Sequence, residues 1–338
     1  MHLDKNNLPA LSAYLQNLRL IGPAETIFAA EKPGEGNMNY TLRLSVKDKT
    51  FIIKQARPYV EKYPQIPAPP QRALAEAGFY LQIKNSHALS RLMPELLATD
   101  AESFILVMED LGNAKDGSFL YNSAAVLSEH DMEDLCLFLT GLHSRFKKEK
   151  ADELMANRAL RLLNHEHIFV YPLQEENGFD LDTIQPGLQE LSMPFKRNEA
   201  LKQQATELGK KYLADGDTLL HGDYYPGSWL FTQQGIKIID PEFCFYGTPE
   251  FDVAVMKAHL MMAGQPDHFI TGLFEYYNKP EGFNDDLFDA FTGMEIIRRI
   301  IGLAQLPLSL TLQQKGQLLN QAALLLKENI DQEYEQSQ

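Results

Sequence analysis

Two acidic residues, Asp223 and Asp240, stand 17 positions apart in this chain, each in a distinctive local setting. Asp223 follows His221 and Gly222 and precedes Tyr224, Tyr225, Pro226, Gly227 and Ser228. Asp240 closes the apolar run Ile236–Ile239 and is followed by Pro241 and Glu242. A carboxylate beside a Pro-Gly turn, with a second at a strand end, suits a reaction in which one group orients a hydroxyl and the other holds a metal ion. Phosphoryl transfer to an alcohol has that need, because its catalysis is mostly positioning and charge neutralisation. On this reading Asp223 is the catalytic carboxylate. Asp240 binds the Mg2+ that bridges the phosphates of ATP, and Glu242 adds an oxygen or a water-mediated contact. His221 bonds the loop backbone, and Asp252 either caps the following helix or braces the loop.

The surrounding pattern supplies elements to position these groups. Leu8, Leu11, Tyr14, Leu15 and Leu18 form a helical stripe over residues 8–20. Tyr40–Leu44 and Phe51–Lys54 read as strands joined by a turn at 47–49, preceded by the glycine-rich loop 34–39. Residues 64–70, rich in proline, read as a stiff linker before a helix from about 71 to 84. Phe104–Met108 is a further strand. Helical patterns then dominate, at 130–146, 198–215, 252–263, 284–306 and 311–333, with the strands of 219–240 embedded among them. Trp229 is expected to pack beneath the loop that carries Asp223. Arg298 and Arg299 border an apolar helix face and suit a substrate hydroxyl or phosphate, although Glu295 competes as an ordinary helix partner of Arg299.

Composition narrows the class. The 338 residues are 44% hydrophobic and 23% charged, which suits a water-soluble globular chain. A formal charge of -15 argues against nucleic-acid binding, which needs a basic surface. The two cysteines, Cys136 and Cys244, lack metal-binding or redox spacing and read as buried thiols. No secretory signal opens the sequence, and the apolar stretch 296–310 is broken by Arg298, Arg299, Gln305 and Pro307. No membrane association is expected, and the expected location is the cytoplasm. The pair His165 and His167 has no evident third metal ligand nearby.

These motifs resemble known kinases. His221-Gly222-Asp223 with Ser228 five residues on is similar to the protein-kinase pattern H-R-D-x-x-x-x-N, and Lys54 is similar to the lysine of V-A-I-K. With Pro226-Gly227 and Asp240-Pro241-Glu242, the sequence resembles the aminoglycoside phosphotransferase and choline kinase superfamily, and within it the methylthioribose kinases. That likeness extends over 36–40, 53–56, 240–247, 251–252 and 295–304. It implies an α+β, bilobal protein-kinase-like fold with a small sheet-rich N-lobe and a larger helical C-lobe. The expected boundaries are 1–107 for the nucleotide-binding lobe, 108–113 for a connector, and 114–338 for the catalytic and acceptor-binding lobe.

The resemblance also implies roles. Lys54 meets the ATP phosphates, and Glu76 fixes Lys54, unless Glu76 pairs instead with Arg72 one helical turn away. Gly36, Asn37 and Asn39 wrap the phosphates, while Met108, Glu109 and Leu111 form the adenine edge. Ser228 takes the place of a metal-binding asparagine. Tyr224 and Tyr225 stand where the family usually has Leu-His, beside the acceptor, and Arg298 and Arg299 contact that acceptor. The implied activity is ATP- and Mg2+-dependent phosphorylation of a hydroxyl on methylthioribose or a related sugar. An aminoglycoside, choline or homoserine acceptor is the alternative within the class, and a catalytically silent nucleotide-binding module the alternative outside it. A homodimer stays open.

Overall fold

A computed structural model describes residues 1–335 apart from Glu35, Asn37 and Ser123, with backbone only for 327–335. The chain forms two compact units. The first comprises Met1–Lys115, Asp152–Leu160 and Phe231–Cys244; the second comprises Asp116–Ala151, Arg161–Leu230 and the chain from Phe245 onward.

In the first unit, α1 (Leu8–Asn17) begins where the Asn7 side chain accepts the backbone N–H of Ala10. Its Leu11 and Leu15 are buried against a five-stranded sheet. The strands are β1 (Ala29–Glu31), β2 (Tyr40–Val46), β3 (Lys49–Gln55), β6 (Leu96–Asp100) and β7 (Ile105–Glu109), in the order β1-β2-β3-β7-β6. Tyr40, Leu42, Leu44 and Val46 alternate inward along β2, as a sheet with one buried face requires. They pack with Phe51, Ile53, Ile105 and Val107. The short strands β1 and β6 were not evident in the sequence.

The proline-rich stretch departs from the expected linker. Tyr63–Pro67 is a strand, β5, paired with β4 (Tyr59–Val60). A two-stranded ribbon leaves edges on which a proline's missing N–H goes unused. The helix that follows, α2 (Arg72–Ile83), is buried along most of its length, including Glu76, Phe79, Tyr80 and Ile83. At Gly78 a Cβ atom would come within 2.8 Å of Met155 Sδ, so glycine lets the segment 152–160 approach α2 closely.

The second unit is mainly helical. Helix Glu129–Arg145 starts at a reciprocal cap between Ser128 and Asp131, and Asn198 and Asn284 cap helices Glu199–Leu213 and Asp285–Ile301. The last of these stops before Gly302, short of the 306 expected from the sequence. It packs on helix Leu312–Glu335, where Gly293 lies so close to Ala322 that a Cβ would meet its carbonyl oxygen at 2.5 Å. Thr218–Leu220 pairs antiparallel with Phe245–Gly247, and His221 follows directly. Cys136 and Cys244 are buried and form no disulfide. No helix among the described residues is long and apolar enough to cross a membrane.

Candidate active site

The first unit gathers Lys54, Glu76 and Asp240. Lys54 lies on β3, an interior strand between β2 and β7. Its ammonium is 3.0 and 2.9 Å from the two oxygens of Glu76 and 2.7 Å from Asp240 Oδ1. The side chains of Lys54 and Glu76 are almost fully buried, whereas that of Asp240 is 50% exposed. Asp240 also has φ 61° and ψ 48°, a left-handed conformation uncommon outside glycine and tolerated best by Asn and Asp. Burial works against the charge of Lys54, yet Asp240, Glu76 and Glu242 together hold its pKa above the usual lysine range. Glu76 shares that single cation with two other carboxylates. Burial, only partly offset by Lys54, raises its pKa to about 7.

Arg72 is not the partner of Glu76. Fully buried, it donates to Asn39 Oδ1 (3.1 Å), to the carbonyls of Arg57 (2.9 Å), Pro69 (3.0 Å) and Met38 (2.9 Å), and pairs with Glu242 Oε2 at 3.1 Å. Asn39 Nδ2 also donates to Glu242 Oε2, at 3.0 Å. Glu242, expected to add an oxygen or a water-mediated contact to the metal, is paired with Arg72, and the Asn39 side chain lies between Arg72 and Glu242, leaving its backbone N–H as the group expected to meet phosphate. The arginine escaped notice because a helical i+4 carboxylate offered a nearer partner. The backbone of Gly36 turns tightly toward Asn39, with room for a Cβ only 3.3 Å from its carbonyl oxygen. Asn37 lies outside the described residues.

Met108 is buried and pairs in β7 with Ile52 and Leu96, while Glu109 ends the strand and accepts the N–H of Glu95 at 3.0 Å. Leu111, next along, is half-buried. A further clasp went unread in the sequence. Arg43 on β2 holds Asp110 with two bonds of 2.7 and 2.9 Å and reaches the Gly112 carbonyl at 2.7 Å, bracketing Leu111.

In the second unit, the loop around Asp223 is fixed from both sides. Asp252, fully buried, accepts the N–H groups of His221 (2.7 Å) and Gly222 (2.9 Å), which makes it a brace for this loop. Gly222 has φ 85°, a conformation glycine adopts without strain. Ser228, expected to bind metal, is buried and donates its hydroxyl to the Asp223 carbonyl at 2.9 Å, tying the loop to itself. Trp229 packs beneath, fully buried, 5.8 Å from the Tyr224 ring.

Helix Asp285–Ile301 supplies the charges that face Asp223. Arg299 Nη2 donates to Asp223 Oδ1 at 3.1 Å and Nε to Glu295 Oε1 at 2.7 Å; its guanidinium lies 4.7 Å from the Tyr225 ring. Arg298 Nη2 approaches Asp223 Oδ1 to 3.8 Å, and its buried Nε forms an ion pair with Glu295 Oε2 at 3.3 Å without hydrogen-bond geometry. Burial opposes ionisation of Glu295, yet Arg298, Arg299 and His259 hold it well below the usual carboxylate range. Arg298 falls below the ordinary arginine range through burial and the neighbouring Arg299. Glu295 and Asp223 outweigh burial and push Arg299 above it.

The two tyrosines part company. The Tyr225 ring lies against the Arg299 guanidinium. Tyr224 is fully buried, stacks on Phe138 at 5.8 Å, and donates to the Leu135 carbonyl at 2.9 Å, so it is a packing residue. His167 lies within the π-helical turn Glu166–Val170, and His165 directly precedes it. Among the described residues no group of three or more His, Cys, Asp or Glu is gathered to hold a metal.

Comparison with known proteins agrees with this chemistry. Residues 30–288 match the family model described as "Phosphotransferase enzyme family". The chain is 30% identical over 327 residues to a methylthioribose kinase from Geobacillus sp. (strain WCH70), covering 83% of this chain and 80% of that protein. It is 28% identical over 331 residues to a methylthioribose kinase from Exiguobacterium sibiricum, covering 86% and 83%. Two structures share the fold at low identity. Choline kinase LicA from Streptococcus pneumoniae has a TM-score of 0.53 at 12% identity, covering 95% of this chain and 98% of that one. Spectinomycin phosphotransferase APH(9)-Ia, solved with ADP and spectinomycin, has a TM-score of 0.51 at 14% identity, covering 94% and 97%. The expected α+β, protein-kinase-like class is borne out. The chain belongs to the phosphotransferase enzyme family, as an ATP-dependent small-molecule kinase.

Proposed function

We propose that this kinase phosphorylates a hydroxyl of 5-methylthioribose or a closely related neutral pentose. The observation that carries the choice is the charge balance around Asp223, where two arginines, Arg298 and Arg299, meet two carboxylates, Asp223 and Glu295. A choline or aminoglycoside acceptor calls for an excess of carboxylates and is repelled by paired arginines. A neutral sugar calls for donors and acceptors without net charge, which a balanced cluster of arginines and carboxylates offers. The methylthioribose kinases, at up to 30% identity over more than four fifths of this chain, support the same acceptor.

The roles divide between the units. Asp223 accepts the hydrogen bond of the acceptor hydroxyl and orients its oxygen toward phosphorus, while Arg298 and Tyr225 contact the sugar. Lys54 contacts the phosphates of ATP, held in place by Glu76, and the backbone of Gly36 and Asn39 and of 108–111 lines the nucleotide. Mg2+ suits the first unit, where three carboxyl groups, Glu76, Asp240 and Glu242, crowd around Lys54 and Arg72. Asp240 alone of the three presents a half-exposed carboxylate, and Mg2+ is commonly held by one or two carboxylates with phosphate and water completing its shell. When bound, the ion neutralises charge on the transferring phosphoryl group. Buried thiols without a disulfide fit a cytoplasmic enzyme.

The test is coupled-assay turnover with Mg2+-ATP over a panel of methylthioribose, ribose, choline, homoserine and kanamycin. Methylthioribose or a near pentose should be the preferred acceptor. Efficient turnover of kanamycin or choline with none of any pentose overturns the acceptor and leaves the kinase class standing.

A further inference from the structure

A chain of buried hydrogen bonds leads away from Asp223 through three elements of the second unit. Arg299 bridges Asp223 Oδ1 and Glu295 Oε1. The same Glu295 oxygen lies 2.9 Å from His259 Nε2, on helix Glu250–Met262. His259 Nδ1 lies 2.5 Å from the hydroxyl of Tyr121, at the end of the 3-10 turn Gly117–Tyr121. Tyr121, His259 and Glu295 are all buried.

Chemistry gives each proton one place. A carboxylate only accepts, so His259 Nε2 carries the hydrogen that faces Glu295. In a neutral ring Nδ1 is then the acceptor, and the Tyr121 O–H donates to it. The groups facing His259 are the Tyr121 and Tyr225 rings, the latter with its centroid at 5.1 Å, together with Glu295, Arg298 and Arg299 on helix Asp285–Ile301. Burial chiefly, with the two arginines, lowers the His259 pKa to about 4 despite Glu295, so the ring is neutral at pH 7. Burial keeps the Tyr121 proton in place.

We propose that Tyr121 and His259 are positioning residues for the catalytic carboxylate, acting through Glu295 and Arg299 to fix the direction of Asp223. The inference rests on Asp223 being the group that receives the acceptor hydroxyl. Removing the His259 donor leaves Glu295 held at Oε1 by Arg299 alone. The guanidinium can then shift with it, and a misaimed Asp223 lowers turnover while sparing binding.

The experiment compares Tyr121→Phe, His259→Leu and His259→Gln, each alone and combined with Arg299→Ala, using Mg2+-ATP and methylthioribose. Asp223→Asn is run in parallel. His259→Leu should lower kcat about 10- to 100-fold, with KM for either substrate nearly unchanged. His259→Gln, whose amide can still donate to Glu295, should recover most of the loss. Tyr121→Phe, the mildest change, should fall between wild type and His259→Leu. In the Arg299→Ala background, loss of His259 should cost little more, because the path is already cut. Losses that multiply in the double variant, or no recovery with Gln, overturn the inference. An acceptor-free readout runs beside the kinetics: the Arg299 Nε–H resonance should exchange slowly in wild type and fast in His259→Leu. Unchanged exchange also overturns it. Normal turnover by Asp223→Asn would instead overturn the catalytic reading, with the exchange measurement still reporting on the relay.

Discussion

The two units solve opposite electrostatic problems. In the first, three carboxyl groups, Glu76, Asp240 and Glu242, crowd around Lys54 and Arg72. In the second, Asp223 and Glu295 are matched one for one by Arg298 and Arg299. A surplus of carboxylate suits a site that takes in a divalent cation with its nucleotide. A balanced cluster suits one that receives a neutral molecule and must keep a carboxylate ionised to orient its hydroxyl. The same contrast appears in exposure, since Asp240 is half-exposed whereas Asp223 retains 19%.

The largest expected break is Asp223→Asn, which should lower kcat by about 10^3-fold or more with ATP affinity nearly unchanged, since general-base orientation and an intact charge balance are both lost. Single-turnover kinetics with a separate nucleotide titration would check it. Lys54→Met comes next. It strands Glu76 as a buried carboxylate without its cation, so stability should fall by about 3 kcal/mol or more by denaturant titration, along with nucleotide affinity. Arg298→Ala should raise the acceptor KM about tenfold and leave the ATP KM alone, since it removes a hydrogen-bonding donor worth about 1.5 kcal/mol. Arg299→Ala should instead act mainly on kcat, because Arg299 is tied to Asp223 and Glu295.

A separate effect appears only on acidification. The folded pKa of His259 is about 4, below its unfolded value of 6.5, so its contribution to stability is fully present above pH 6.5 and is lost as pH falls through 4. Each tenfold weakening of the ring's hold on its proton corresponds to about 1.4 kcal/mol, so the loss amounts to about 3 kcal/mol. His259→Gln should flatten the fall in unfolding free energy between pH 6.5 and 4. A curve parallel to wild type would mean His259 does not titrate there.

Much of this arrangement was legible in the sequence because local rules govern it. The strand at 40–44, helical patterns at about 71–84 and 284–306, and the settings of Lys54, Asp223 and Asp240 are all short-range signals. What escaped is long-range or aperiodic. Glu76 was correctly placed beside Lys54 only as one of two readings, because the sequence cannot say that Arg72 finds its partner at Glu242. Nothing local announces that 152–160 and 231–244 return to the first unit, since periodicity tells that a face is buried and not what covers it. Tyr224 and Tyr225 are adjacent in a loop with no period, so which one turns inward was unreadable. The prolines at 64 and 67 pointed to a linker, whereas a two-stranded ribbon tolerates them.

The division of labour between the units is tested most directly by calorimetric titration of ATP into wild type and Asp240→Ala, each with and without Mg2+. Mg2+ should tighten ATP binding to wild type and have little effect on the variant, with methylthioribose binding the same in both. Equal enhancement by Mg2+ in the two proteins, or loss of acceptor binding in Asp240→Ala, would contradict it.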